Sequence, residues 1–462
     1  RGRARGMNII VVDPKWTPLV KFADIWLQPR LGTDVALLNG MMHVIISENL
    51  IDAEFIQKRV SRGMEAFEEL KQLVTKYNPE YVESLTSVPA AKIAEAARMY
   101  AKAKTAMIAT GMGMSQQVTG THNVFSLLNM CFITGKIGRD RCGINPPRGQ
   151  NNVQGATDVG ASPVNYPGYI PVTNDENRKR MAHIWNVPYA NLSGKPGLTT
   201  VEIMQAAYNG TIKSLYIMGE NPVVTDPNQN HTIEALKKLE FVVLQDIFFT
   251  ETAPYAHVIL PAASFAEKEG TFVNSDRRVL RVRKALDPVG NTREDWKITH
   301  EIAQRMGYNL GNYTSSSEIF DEIAKAAPMM AGINYQRIEE HGIQWPCTNP
   351  LHPGTGTLFL EKFNTPDGKA KINPVDYIEQ SEKSSPEFPF ILNSGRILFQ
   401  YHSATMSRKN AALNAFANES YLLINHDDAV KQGLIHGQKI RVSNLRGTLE
   451  TTLRISDEVA PG

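Results

Sequence analysis

At 462 residues, 42% hydrophobic and 21% charged, the chain has ordinary globular composition and the length of about three domains. Its 49 Lys+Arg against 47 Asp+Glu leave a net charge of +2, too balanced for the one-signed field of a nucleic-acid or anionic-membrane binder. The most apolar stretch, Val35 to Ile46, is broken by Asn39, Gly40 and His43 and falls short of the roughly 20 residues of a membrane span, while Cys131, Cys142 and Cys347, in no CxxC spacing, argue against a disulfide framework, a structural zinc site or a self-contained iron–sulfur cluster and lean the chain towards the cytoplasm.

The basic opening Arg1–Met7 runs straight into Asn8–Val12, an apolar run of buried parallel-strand type. A helix over Asp34–Glu48 follows, then helices across Glu54–Lys76 and Ala90–Lys102, a strand Ala106–Thr110 and a helix Asn123–Thr134. Residues 148–197 are Gly/Pro/Asn-rich with few periodic apolar positions, which predicts a functional loop or a flexible arm. Strands Ser214–Met218, Phe241–Gln245 and His257–Leu260 then alternate with helices Thr232–Lys238 and Asp295–Met306. After the polar stretch Ser381–Pro389, a strand Phe390–Asn393 and the alternating runs Lys439–Ser443 and Gly447–Ile455 read as an all-β module. The expected fold class is α/β: two related parallel-sheet dinucleotide-binding units over 1–150 and 151–385, plus an incomplete C-terminal β-barrel over 386–462. A chain rarely begins inside its sheet or stops before a turn such as Pro461-Gly462, so the sequence is expected to be a fragment, its targeting signals out of view.

An internal comparison supports the pairing of the two units. A buried strand ends in Asp13, followed by Thr17, Ala23 and Leu27; another ends in Asp246, followed at the same offsets by Thr250, Ala256 and Leu260. Each copy then reaches a Gly-Thr pair, Gly32-Thr33 and Gly270-Thr271, the second after five extra residues. Chance can match common residue types; the alternative is a duplication giving two facing nucleotide half-sites, each with an acidic group at a strand's carboxyl end. Neither copy has a Walker A sequence or a GxGxxG, which points away from ATP and ordinary nicotinamide dinucleotides.

Gly111-Met-Gly-Met-Ser-Gln116 follows a strand and is either a tight turn or a backbone approach to a ligand. Asn145-Pro-Pro-Arg-Gly-Gln-Asn-Asn-Val-Gln-Gly155 concentrates Arg148, Gln150, Asn151, Asn152 and Gln154 in a loop with almost nothing apolar to bury. It is either an Asn-rich surface turn or a loop that sends the planar fork of Arg148 towards a small carboxylate or oxyanion. Met218-Gly-Glu-Asn-Pro222 is a second backbone-approach turn, and Ser394-Gly-Arg-Ile-Leu-Phe-Gln-Tyr-His-Ser403 sets Arg396, Gln400 and His402 in one loop. The charged stretches Ala266–Gly270 and Asn274–Arg278 read by default as a solvated face.

Taken in order, Asn145–Gly155, Met218–Pro222, Leu260–Ala263, Glu267–Thr271 and Ser394–Ser403 resemble the molybdopterin oxidoreductases of the dimethyl sulfoxide reductase type, and within them the catalytic alpha subunits of formate dehydrogenases, over essentially the whole chain. The resemblance implies a bis-molybdopterin guanine dinucleotide carrying molybdenum or tungsten, one guanosine end per α/β unit. It implies that Asp13, Lys15, Thr17, Gly32, Thr33, Asp34, Met112 and Gln116 line one dinucleotide; Gly219, Asn221, Gln245, Asp246, Lys268 and Asp295 the other; and Gln150, Arg396, Gln400, His402 and Ser403 close over the cofactor. Arg148 matches the arginine that stands above the metal and is the expected catalytic residue, with formate as substrate. The family's [4Fe–4S] segment and its metal-ligating cysteine or selenocysteine have no counterpart here, so no metal ligand is assigned and the chain alone is expected to be inactive. An electron-transfer subunit, or a ferredoxin- or NAD-linked partner, is implied. A nitrate reductase of the same superfamily and a non-catalytic electron-transfer subunit with this fold are the competing readings; Arg148 in Pro-Pro-Arg-Gly-Gln favours formate.

Overall fold

The computed structural model describes residues 2–308 and 310–462. In the first unit, strands Ile10–Val12 and Ile25–Leu27 pair in parallel, Ile10 facing Ile25 and Val12 facing Leu27. The helix Asp34–Ser47 behind them is apolar nearly all round and is buried from Val35 to Ile45 except at His43, which makes it the centre of the largest core. Helices Ala90–Lys102 and Gly120–Ile133 pack on it, burying Ile93, Ala96, Leu127 and Ile133. The stretch expected as helices over 54–76 forms two, Ala53–Arg59 and Met64–Val74, the first capped by the Asp52 carboxylate on the Phe55 N–H. Between them Val60 bridges in parallel to Ala370, far along the chain. A second parallel pair joins Met107–Ala109 to Gly143–Asn145, the latter strand too short and polar to stand out in the sequence.

Residues 148–197 are folded, which sets aside the flexible-arm expectation and not the functional-loop one. They hold helices Val153–Asp158 and Asp175–Ile184 and the small hairpin Asn165–Tyr166/Ile170–Pro171. Tyr166, Val172 and Met181, with Ile170, Ile184, Trp185 and Leu192 packed against them, form a small core of their own that Ala326 joins from far along the chain, a contact that periodicity does not reveal.

The second unit carries a three-stranded parallel sheet, Ser214–Met218 beside Phe241–Asp246 beside Val258–Pro261, covered on one face by helices Thr200–Tyr208 and Gln229–Lys238. The charged run after Ala266 is not simply a solvated face. Gly270–Val273 and Arg278–Val282 form an antiparallel hairpin extended by Ile343–Gln344, and the Arg277 guanidinium donates to the carbonyls of Thr355 and Gly356 (both 3.1 Å). Helices Asp295–Arg305 and Ser316–Ala326 follow.

Residues 359–377 lie in the range expected for the second unit, 151–385, yet pack on the first core through Phe363, Ala370 and Ile372. Asn39 Nδ2 donates to the Val375 carbonyl (3.0 Å), and Asn129 both donates to Asn373 O (2.7 Å) and accepts from its N–H (3.0 Å). Phe390–Asn393, expected as a strand, is not one; a single bond from the Ile391 N–H to Gly462 O replaces a ladder. The remaining chain builds a sheet in which Gly447–Ile455 runs parallel to Tyr421–Ile424 and antiparallel to Lys439–Asn444. Among the described residues, no helix is long and apolar enough to cross a membrane.

The duplication extends to individual hydrogen bonds, each partner in the second copy standing 233 positions after its counterpart. Ile10 faces Ile25 as Val243 faces Val258. The Asp24 N–H donates to Ile9 O and the His257 N–H to Val242 O, both at 2.8 Å. In return the Ile9 N–H donates to the Asp24 carboxylate (2.7 Å), and the Val242 N–H to His257 Nδ1 (3.0 Å). The 3₁₀ turns Pro18–Phe22 and Ala253–Tyr255 end at corresponding positions, although the second begins two residues later in its loop. The copies part company after the second strand. Gly32-Thr33 turns into helix Asp34–Ser47, whereas Gly270-Thr271 opens a strand, so these two pairs are not equivalent. After the inserted hairpin, Ala262 bridges Arg293 and the chain enters helix Asp295–Arg305, which like the helix at Asp34 begins on an aspartate.

Candidate functional site

In each copy the strand-ending aspartate folds back on its own loop. Asp13 accepts from the Lys15 N–H (2.8 Å) and Asp246 from the Phe248 N–H (3.0 Å), again 233 residues apart. Burial raises both carboxyls above the usual range, offset by these backbone donors, and the Asp295 charge raises Asp246 further. Each aspartate therefore sits at the carboxyl end of a parallel strand, where an open α/β sheet admits ligands.

Around the first copy, Gly32 adopts φ +75° and Thr33 Oγ1 donates to Arg30 O (2.7 Å), which shapes the entry to the helix at Asp34. Burial raises the Asp34 carboxyl, partly offset by Gln117, whose Nε2 donates to Asp34 Oδ2 (3.3 Å). Gln117 Oε1 is buried with no partner among the described residues. The expected neighbour, Gln116, is exposed and makes no side-chain hydrogen bond among the described residues; Met112 opens the helical turn Met112–Ser115 beside it. Gly111 and Gly113 face open space. Lys15 is committed to an ion pair with Glu458 (3.2 Å), and Thr17 uses its carbonyl to hold the Val20 N–H.

Around the second copy, Gln245, Lys268 and Asp295 converge. Gln245 is fully buried, its Nε2 donating to Asp295 Oδ1 (2.7 Å) while its Oε1 accepts from the Tyr216 hydroxyl. The other Asp295 oxygen receives the Lys268 ammonium. Gly219, at φ +62°, leaves open space above the end of Ser214–Met218. Asn221, expected at the ligand, has both ends of its amide engaged within the protein. Its Oδ1 accepts from Thr252 N–H (3.2 Å) and Oγ1 (2.7 Å), and its Nδ2 donates to Glu251 (2.8 Å) and Thr405 (3.1 Å).

The third unit ties these regions together. Trp16 N–H donates to Glu458 O (2.7 Å) and Lys15 bridges Val459 on the first copy, while Thr405 reaches Asn221 on the second and lies 3.1 Å from Ser403 Oγ. The Tyr401 hydroxyl accepts from the Asn151 N–H (2.6 Å) in the Arg148 loop. A Cβ built on Gly149 would stand 2.6 Å from His402 Cε1 and 2.9 Å from an Arg396 terminal nitrogen, so only glycine allows this approach. His402 carries φ +49° and a buried Nε2 without a partner among the described residues. Gln400 is spent internally, on Ala417 O (2.7 Å), Asn414 Oδ1 (3.3 Å) and the Ser407 hydroxyl (2.6 Å).

Arg148 is exposed, its backbone N–H bonded to Ser275 Oγ (2.8 Å) and its Nε to Gln154 Oε1 (2.9 Å). Its two terminal amino groups have no protein partner among the described residues, and the Gln150 side chain beside it is likewise exposed and unbonded. Sequence reasoning left Gly149, Gln117, Asp158 and Tyr401 out of the site. Gly149, Tyr401 and Gln117 each adjoin expected site residues, which is a local signal; Asp158 had none.

The donor set, with orphaned polar atoms on Gln117 and His402 and open glycine faces at Gly111, Gly113 and Gly219, fits a large polar cofactor. A family model described as molybdopterin oxidoreductase matches residues 1–305, and one described as molydopterin dinucleotide binding domain matches residues 390–462. The chain is 43% identical over 466 residues to the F420-dependent formate dehydrogenase 1 subunit alpha of Methanococcus maripaludis, covering 100% of this chain and 67% of that protein. It is 40% identical over 464 residues to formate dehydrogenase H of Escherichia coli, covering 100% of this chain and 64% of the relative. The solved acetylene hydratase from Pelobacter acetylenicus shares the fold, with a TM-score of 0.76 at 21% identity over 100% of this chain and 66% of that one.

Proposed function

The chain belongs to the molybdopterin oxidoreductase family, and from that membership we propose that it is the cofactor-holding part of a formate dehydrogenase alpha subunit, oxidising formate to carbon dioxide or running the reverse reaction. When bound, the pterin-held molybdenum or tungsten supplies the two-electron chemistry. The chain's own residues supply position and charge. Asp13, with Asp34 and Gln117, would hold one dinucleotide end, and Asp246, with Gln245, Asp295 and Lys268, the other. His402 Nε2 and Arg396, brought against Gly149, would close the third unit over the cofactor. The reading leaves Asn221 and Gln400 as clamps around the cofactor site rather than ligands to it.

The observation that carries the substrate is Arg148. Formate is a one-carbon carboxylate, and the two free terminal amino groups of a guanidinium match its two oxygens while leaving the C–H bond turned outward. Electrons would leave through a partner subunit, in keeping with the relatives' description as alpha subunits, and a ferredoxin- or NAD-linked acceptor in the cytoplasm is part of the proposal.

The test is made on the full-length protein, with metal and pterin content measured alongside formate oxidation and nitrate reduction. Arg148→Lys should lower kcat/KM for formate by about 100-fold or more with unchanged metal content, because a point charge cannot hold both oxygens. Unaltered formate kinetics, or nitrate reduction without formate oxidation, would overturn the reading.

A further inference from the structure

Behind Arg148 lies a buried polar relay that the proposed reaction has not used. Asp158 is fully buried, and burial raises its carboxyl, offset by the Tyr169, Gln154 and Trp345 side chains and the Arg148 charge. It accepts from Gln154 Nε2 (2.7 Å) and Tyr169 Oη (2.8 Å) on one oxygen and from Trp345 Nε1 (2.7 Å) on the other. The bond from Gln154 decides which way its amide faces: with Nε2 committed to Asp158, Oε1 must turn to Arg148, where it accepts from Nε at 2.9 Å. Gln154 is itself buried, so the amide has little room to flip.

We propose that Gln154, oriented by Asp158, is a positioning residue that fixes the plane of the Arg148 guanidinium, so that a carboxylate is held end-on by the two terminal amino groups and not side-on through Nε. The proposal rests on the reading of Arg148 as the formate-binding residue. A guanidinium offers a carboxylate two forks, Nε with one amino group or the two amino groups together. Gln154 occupies Nε and so removes the first. The remaining fork points along the side-chain axis, and a misdirection of about 1 Å at a reacting centre is enough to cost roughly 100-fold in rate. Tyr169 and Trp345 come from a hairpin and a distant loop, which makes the orientation a property of the tertiary fold.

Two readouts on the full-length protein separate this proposal from the one beneath it. The first needs no turnover. In protein labelled with ¹⁵N at arginine Nε, the resonance lost in Arg148→Lys identifies the Arg148 Nε–H, whose exchange with solvent should be about tenfold slower than that of a free arginine side chain and should return to the free rate in Gln154→Met. The second is kinetic. Gln154→Met, which keeps the side chain's length, should lower formate kcat/KM by about tenfold or more, and adding it to Arg148→Lys should cost less than about threefold further, because both remove one interaction. Tyr169→Phe removes one donor to Asp158 at the rim and should give a smaller loss of the same kind. Unprotected Nε–H in the wild type, or fully additive losses, would overturn the relay. If the wild type oxidises no formate while the Nε–H is protected and released by Gln154→Met, the formate reading fails and the held guanidinium stands.

Discussion

Asn221→Asp separates a clamp from a ligand. The substitution keeps Oδ1 and its two bonds from Thr252, and Thr405 can turn its hydroxyl to donate. What changes is Nδ2, a donor 2.8 Å from Glu251 Oε2, which becomes a carboxylate oxygen facing a carboxylate. Two unit charges at that separation repel by about 6 kcal/mol in an effective dielectric of about 20. Glu251 is exposed, and solvent screening brings the expected cost at pH 7 to about 3 kcal/mol. The pH dependence carries the sign. In the wild type, its own backbone N–H and then Asn221 hold the Glu251 carboxyl below the usual range, so their stabilisation is present above the unfolded pKa and lost as pH falls. In the variant, one carboxyl of the pair is pushed above its unfolded value and takes up a proton, so stability is fully present below the unfolded pKa of about 4 and lost as pH rises through the raised folded pKa. Urea midpoints between pH 4 and pH 7 should therefore slope in opposite directions for the two proteins. Parallel curves, or a loss below about 1 kcal/mol at pH 7, would refute the clamp.

Two further outcomes follow from single positions. Gly32→Ala meets both φ +75° and the Gln380 side chain and should cost about 1–2 kcal/mol; Gly219→Ala, at φ +62° in open space, should cost about 1 kcal/mol yet depress cofactor content more than its stability loss explains, as metal and pterin assays would show. The Cys131 thiol is pushed up to about 12 by burial, so its contribution is fully present below pH 9 and lost as pH rises towards 12, at roughly 1.4 kcal/mol per pH unit. The alkaline slope should be shallower by that amount between pH 9 and pH 10 in Cys131→Ala, the buried tyrosines such as Tyr100 supplying what remains at higher pH, and the thiol should resist alkylation in the native protein at pH 8.

Much of the fold is local and was legible. The apolar helix Asp34–Ser47 and the three strands of the second sheet announce themselves by length and periodicity, and Asp13 and Asp246 stand out because the same offsets recur 233 residues later. The bonds from Asp24 and His257 to the strand starts show why unlike residues can hold equivalent places: each offers one acceptor to the same backbone N–H. Sequence reading extended the match one step too far, to Gly270-Thr271, because spacing cannot distinguish a helix entry from an inserted hairpin.

The sequence by itself determined the duplicated strand ends, the polar Arg148 loop and the family, because each is carried by short runs of residue types and their order, which can be read without knowing what packs against them. Only tertiary structure decided that 359–377 belongs to the first core, that Asn221 and Gln400 are bonded to the protein on every side, and that Gln154, Asp158, Tyr169 and Trp345 meet behind Arg148. A side chain's residue type fixes what it can donate and accept. Which partner satisfies it is settled only when distant segments are packed closely enough to exclude water.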